Sequence, residues 1–254
     1  MALPIIMELI KSTTNAKVKL VCALKDGKGR KNSGLFVAEG VRIVKDATFS
    51  PVEIYLTEDH VDFLSRFEGI CPTHLVTREV FEKMSDTKSP QGVLGVYKIP
   101  DTKVKEPQGD FSVVLDGVKD PGNVGTVIRT APACGFSDVY LIESADPFSP
   151  KVVRSSMGGV FRTNIYIGAR EEIINVLHSS NTNICSLDMG GESVFDANVS
   201  LPIALVVGSE AQGVSNQMRK ASKQILALPM KDDTESLNAG VSAGISMYLI
   251  GFKK

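Results

Sequence analysis

With 254 residues and 43% hydrophobic content, the chain can bury enough apolar surface for one large or two small cores. A formal net charge of −1 argues against a general nucleic-acid binder, since phosphate neutralisation supplies most non-specific affinity. No run reaches the length of a membrane-spanning helix, and Cys22, Cys71, Cys134 and Cys185 are too dispersed, with only His60, His74 and His178 to join them, for a metal centre; reduced thiols in a cytoplasmic protein are expected.

The opening residues are apolar, but Pro4 and Glu8 interrupt them and no basic segment precedes, so no signal peptide is expected. Charge is unevenly spread: residues 1–50 carry nine Lys or Arg against four Asp or Glu, and the remainder carries 19 against 25. A basic leading module fits RNA contact. Its densest part, Lys25, Lys28, Arg30 and Lys31 among Gly27 and Gly29, equally fits a solvated loop. Residues 35–38, 52–56 and 93–97 read as short strands among helical stretches, a small mixed α/β domain. Residues 98–109, KIPDTKVKEPQG, then lack apolar periodicity and read as a linker that divides the chain near residue 105.

Beyond the linker, apolar strand segments recur at 112–115, 139–142, 163–167, 184–187, 203–207 and 225–228. Helical patterns separate most of them, including Ile173, Ile174, Val176 and Leu177, and the terminal Leu237, Val241, Ile245, Tyr248 and Leu249. This alternation predicts an α/β fold with a mostly parallel sheet covered on both faces. Ligands of such sheets sit at the carboxyl ends of the strands.

Three turn stretches begin at such ends. The first, 116–129, reads DGVKDPGNVGTVIR and suggests an anion site at a helix N-terminus. However, Asn123-Val124 stands where a P-loop needs Lys-Ser/Thr, and no GxGxxG occurs in the turn. What remains is Asn-x-Gly-x-x-x-Arg at Asn123, Gly125 and Arg129, where Asn123 alone reads as a helix cap and Arg129 alone as a surface ion-pair partner. The second stretch, 207–215 or VGSEAQGVS, turns through Gly208, which lets a ligand approach the backbone, while Ser209 or Glu210 fits a cap. In the third, Leu228-Pro229-Met230 precedes Glu235-Ser236-Leu237-Asn238; by propensity Ser236 reads as a cap and Leu237 as core.

Taken in order, these stretches resemble the signature of the SpoU/TrmH family of S-adenosylmethionine-dependent RNA 2'-O-methyltransferases, within the SPOUT superfamily. The resemblance runs from Asp110 to the C-terminus. It implies an active site of Asn123, Arg129, Glu210, Ser236 and Asn238, and a cofactor site of Gly208, Leu228, Met230, Leu237 and Asn238. A guanidinium does not readily give up a proton near neutrality, so Arg129 is read as positioning the ribose and polarising its oxygen. Arg154-Ser155-Ser156-Met157-Gly158-Gly159 resembles an Arg-x-Ser-x-Gly segment of the family, implying an RNA contact at Arg154.

Glu39-Gly40-Val41-Arg42 and Ser89-Pro90-Gln91-Gly92-Val93 make residues 1–105 resemble an L30e-like substrate-binding domain, with Arg42 as an RNA contact. Residues 106–254 are then a SPOUT methyltransferase domain with a C-terminal trefoil knot, working as a homodimer without metal. The implied activity is 2'-O-ribose methylation of ribosomal RNA, with large-subunit RNA favoured. Transfer RNA methylation and a non-catalytic RNA-binding protein are the alternatives. Departures from the family pattern are Ala211, Val214 and Gly240, the last where a serine is usual; in addition, Pro132 predicts a kinked or short Arg129 helix.

Overall fold

The computed structural model describes residues 9–231 and 237–253. The chain forms two units, Met1–Pro100 with Phe148–Arg154, and Asp101–Pro147 with Ser155–Lys254. Elements of the first unit are α1 (Ala16–Ala23), α2 (Gly27–Ser33), β1 (Leu35–Glu39), α3 (Val41–Lys45), β2 (Glu53–Leu56), β3 (Thr73–Leu75), α4 (Arg78–Met84) and β4 (Val93–Lys98). Its sheet runs β1-β4-β2-β3, antiparallel except between β2 and β3. Val18 and Val21 of α1 and Leu24 at its C-cap pack with Val37, Tyr55, Val80 and Phe81 in its core.

The basic stretch of this unit is not a free loop. Arg30 is 5% exposed and donates to the Leu24 and Lys25 carbonyls, both at 2.8 Å, satisfying the C-terminal end of α1. The Lys25 ammonium donates to the carbonyls of Lys83 and Ser85 at the end of α4. Only Lys28 and Lys31 of the four remain exposed. The Glu39 carboxylate accepts from Ser85 Oγ (2.7 Å), Thr87 Oγ1 (3.2 Å) and the Gln91 amide (3.3 Å), so it fastens the Glu39–Arg42 turn to the 89–93 turn.

After β4 the chain forms β5 (Phe111–Asp116), α5 (Pro121–Ala133), β6 (Asp138–Ile142), α6 (Pro150–Ser155), β7 (Asn164–Ile167), α7 (Arg170–Ser179), β8 (Asn183–Ser193), β9 (Ile203–Gly208), α8 (Asn216–Ala221), β10 (Gln224–Ala227) and α9 (Ala239–Gly251), all in the second unit except α6, which belongs to the first up to Arg154. The six strands of the second unit are all parallel in the order β10-β8-β9-β5-β6-β7, the sheet that the alternation of apolar runs predicts. β5 and β9 lie centrally, and Val113, Val114, Leu115, Ala204, Leu205 and Val206 are all 0% exposed.

The segment read as a linker is laid onto this unit from residue 101. Thr102 O accepts from the Ile167 amide (2.8 Å), Lys105 O from the Tyr140 hydroxyl (2.8 Å), and the Asp138 carboxylate from the Gln108 amide (3.0 Å). The segment makes all three through its own backbone groups, which a polar, aperiodic sequence does not reveal.

Helix α5 is not cut short by Pro132, which falls in its last turn. The proline removes the donor that would bond Ile128 O, and the 3₁₀ turn Gly159–Phe161 packs at that carbonyl, where a Cβ on Gly159 would sit 2.5 Å away. Burial pushes the Cys185 thiol up to about 11 and raises those of Cys71 and Cys134, so none of the three supplies a thiolate near neutrality. Among the described residues no helix is long and apolar enough to cross a membrane.

Candidate active site

At the carboxyl edge of the parallel sheet, the turns after β9 and β10 and the start of α9 enclose a cavity of about 500 Å³. Val207, Leu187, Leu228, Met230 and Leu237 form apolar wall, and Gly208, Glu210, Gln212 and Asn238 bring polar groups to it. The size falls in the usual range of small-molecule pockets, roughly 300–1,000 Å³, and apolar walls with a few polar groups are what such pockets carry.

Loop 209–214 is tied by a reciprocal pair of backbone bonds, Ser209 N–H to Gly213 O (3.1 Å) and Gly213 N–H to Ser209 O (2.9 Å). Gly208 sits beneath this tie. A Cβ there would run into the backbone of Gly213 and Val214, so the close approach of the two ends admits only glycine. Neither Ser209 nor Glu210 caps α8, because Ser215 Oγ does so by accepting from the Met218 amide (3.3 Å).

Five of the cofactor-site residues read from the sequence, Gly208, Leu228, Met230, Leu237 and Asn238, line this one cavity, as does Glu210. Asn123 joins them through Glu210: its Nδ2 donates to Glu210 Oε1 at 2.5 Å. It is not the helix cap. Asp120 caps α5, accepting from the Asn123 amide (2.9 Å) ahead of Pro121, and Asn123 lies 7% exposed inside the first turn. Asn238 does cap a helix, its Oδ1 accepting from the amides of Gly240 (2.9 Å) and Val241 (3.2 Å). Leu237 is 39% exposed cavity wall rather than core. Ser236 lies outside the described residues.

The structure does not bring the arginines to the cavity. Arg129 is exposed, does not line it, and its side chain has no ion pair or hydrogen bond among the described residues, so it is not the surface ion-pair partner its residue type suggests. Arg42 and Arg154 belong to the first unit, where each lies near a carboxylate, Asp46 at 3.8 Å and Asp86 at 3.5 Å respectively. Cavity residues that the sequence reading missed include Arg219 of α8, Ser242 of α9, and Leu187, Asp188 and Met189 of β8. There the register with β10 jumps, Ile225 facing Ser186 and Leu226 facing Glu192, so the intervening residues bulge from the sheet. Gly190-Gly191 inside a strand pattern was the available signal. Asp188 is paired with Arg219, which also lines the cavity.

Gly240 explains itself in the packing of α9 on α5. A Cβ there would lie 3.2 Å from Asn123 Oδ1 and 3.3 Å from Thr126 Cβ. We expect Gly240→Ala to change stability by less than about 1 kcal/mol, the helix-propensity gain of roughly 0.5–1 kcal/mol being offset by crowding. The larger effect is expected on turnover, because the added methyl crowds the Asn123 side chain that holds Glu210; thermal melting beside a methyl-transfer assay separates the two.

Among the described residues no group of three or more His, Cys, Asp or Glu side chains is arranged to hold a metal. Comparison with known proteins agrees with the geometry. The family description "SpoU rRNA Methylase family" matches residues 110–248, and "MRM3-like substrate binding domain" matches residues 15–95. The 23S rRNA (guanosine(2553)-2'-O)-methyltransferase RlmP of Bacillus subtilis is 30% identical over 246 residues, covering 95% of this chain and 98% of the relative. A 23S rRNA (adenosine(1067)-2'-O)-methyltransferase of Streptomyces azureus is 30% identical over 210 residues, 78% of this chain and 77% of its own. The crystal structure of an AdoMet-bound rRNA methyltransferase from Sinorhizobium meliloti superposes with a TM-score of 0.86 at 27% identity, covering 95% of this chain and 96% of that one. With its signature stretches folded around one cavity and its sequence matched along nearly its whole length, this chain belongs to the SpoU rRNA methylase family.

Proposed function

We propose that this protein is an S-adenosylmethionine-dependent methyltransferase that modifies the ribose 2'-hydroxyl of ribosomal RNA, with large-subunit RNA as substrate. The observation that carries this reading is the cavity itself: the residues matching the family's cofactor motifs meet around one space. The similarity to 23S rRNA 2'-O-methyltransferases over nearly the full chain supports ribosomal over transfer RNA. Bound there, S-adenosylmethionine supplies a methyl group made electrophilic by its sulfonium.

The chain's own residues then hold and orient. Leu228, Met230 and Leu237 enclose the adenosine, and the backbone at Gly208 approaches it closely. Asn123 fixes the Glu210 carboxylate at the cavity. Asn238 spends its carbonyl oxygen on the α9 cap, which leaves its amide NH₂ as the donor for ligand or ribose. Arg129 positions the ribose and polarises its oxygen, and Ser236 is assigned to the same centre by its place in the motif. Arg42 serves as an RNA contact of an L30e-like leading domain, a role in keeping with the match of residues 15–95 to a substrate-binding domain, and Arg154 serves as an RNA contact from the Arg-x-Ser-x-Gly segment between the first two motifs.

We propose further that the chain is a homodimer whose sites are shared between copies. Arg129 does not line the cavity of its own chain, and α9, which packs on the Arg129 helix, exposes Val241 (46%), Ile245 (39%) and Tyr248 (59%) along one stripe that Phe252 (58%) continues at the C-cap. A second copy covering this stripe would bring its own Arg129 to the cavity. Tyr248→Asp is therefore expected to yield monomers in light scattering, with methyl transfer lost. The segment from β8 to α9 is assigned the trefoil knot of the SPOUT fold, in keeping with the crowding of loop 209–214 and residues 237–239 around one cavity. The cytoplasm is the assigned compartment, in keeping with four free cysteines.

Incubating the protein and labelled S-adenosylmethionine with unmodified ribosomal or transfer RNA, followed by digestion to nucleosides, tests the substrate. A labelled 2'-O-methylnucleoside from ribosomal RNA alone is expected. Label from transfer RNA alone would replace this substrate assignment, and cofactor binding with no transfer to ribosomal RNA would count against it.

A further inference from the structure

A buried ion pair beneath the site has no part in the residues assigned so far. Asp116 ends β5 and is 3% exposed, in register between Ile142 of β6 and Gly208 of β9. Its Oδ1 accepts from Arg170 Nε (3.0 Å) and Nη2 (2.8 Å), and its Oδ2 accepts from the Ser215 amide (2.8 Å). Ser215 is the far end of the loop whose near end is Gly208 and whose Glu210 meets Asn123. Arg170 Nη1 also lies 3.5 Å from Glu143, whose carbonyl accepts from the Lys119 ammonium. The Asp116 carboxylate thus joins the end of β5 to the loops that follow β7 and β9, and Arg170 extends the link to Glu143 after β6, while neither Asp116 nor Arg170 lines the cavity.

Burying a charge with almost no exposure is unfavourable unless both oxygens are satisfied, and removing the arginine leaves that charge uncompensated. Such a pair is weak evidence of stability for its own sake. Its directional bonds do fix where the 209–215 loop is rooted, and that loop supplies Glu210, Gln212 and Gly213 to the cavity. We propose that Asp116 and Arg170 are positioning residues that hold the 209–215 loop in its cofactor-capturing form, an inference that rests on reading the cavity as the S-adenosylmethionine site. They act through the loop, without touching cofactor or RNA.

The test compares wild type, Arg170→Met, Arg170→Lys and Asp116→Asn by titration with S-adenosylmethionine, by KM for RNA, and by amide hydrogen exchange without ligand. Arg170→Met is expected to weaken cofactor affinity by about tenfold or more, with binding stoichiometry and KM for RNA unchanged. Exchange should accelerate at 209–215 while the central strands stay protected. Arg170→Lys keeps the cation and recovers most of the affinity; Asp116→Asn follows Arg170→Met, and if it does not fold the arginine variants carry the test. Wild-type affinity in Arg170→Met, or a lower stoichiometry at unchanged affinity, overturns the proposal. Should wild type itself bind no S-adenosylmethionine, the functional reading falls, and exchange at 209–215 still decides: no acceleration in Arg170→Met rejects the positioning role.

Discussion

Replacing Arg129 by alanine is expected to lower methyl transfer by about 10²–10⁴-fold, the range lost when a group that orients reactants or stabilises developing charge is removed. Cofactor affinity and melting temperature should be retained, because the side chain is exposed, does not line the cavity and holds no partner among the described residues. The proposed homodimer with shared sites carries a sharper expectation. In such a dimer, an inactive Arg129→Ala chain mixed with a Gly208→Ala chain would contribute an intact cavity and receive an intact Arg129. After subunit exchange, about one quarter of wild-type activity should reappear, since half of the dimers would be mixed and each would hold one complete site. An active Arg129→Ala protein would remove the assigned role. Inactive mixtures whose subunits have exchanged would remove the shared site.

The second large effect is expected at Gly208. An alanine Cβ there meets backbone at Gly213 and Val214 rather than a movable side chain, so the 209–214 loop must open. Overpacking of this kind costs about 1–3 kcal/mol. The functional loss is larger, because the displaced atoms form the cavity wall and carry Glu210. Titration should show S-adenosylmethionine binding lost or weakened beyond measurement in a protein that still melts cooperatively. Near-native affinity in this variant would mean that the loop does not close on the cofactor.

Much of this could be read from the chain because parallel strands buried on both faces write themselves as continuous apolar runs, and the turns after 115, 207 and 228 follow such runs directly. Their convergence follows from the sheet, in which β5 and β9 are neighbours. Local rules failed where a longer-range partner decided. Asn123 fits a cap by residue type, yet Asp120 before Pro121 is the stronger start signal and frees the Asn123 side chain for Glu210, 87 positions away. Pro132 suggested a short helix, but a proline in a last turn costs one bond and here makes room for Gly159. The β8 bulge depends on its pairing with β10, and the Asp116–Arg170 pair joins residues 54 positions apart. Neither leaves a periodic trace in the sequence.

The most direct measurement is a map of ribose methylation in ribosomal RNA from cells carrying the intact gene, no gene, or the Arg129→Ala copy. One nucleotide of large-subunit RNA should carry a 2'-O-methyl group only with the intact gene. An identical methylation map in all three would contradict the assignment as a ribosomal RNA 2'-O-methyltransferase, and a mark restored by the Arg129→Ala copy would contradict the active site proposed for it.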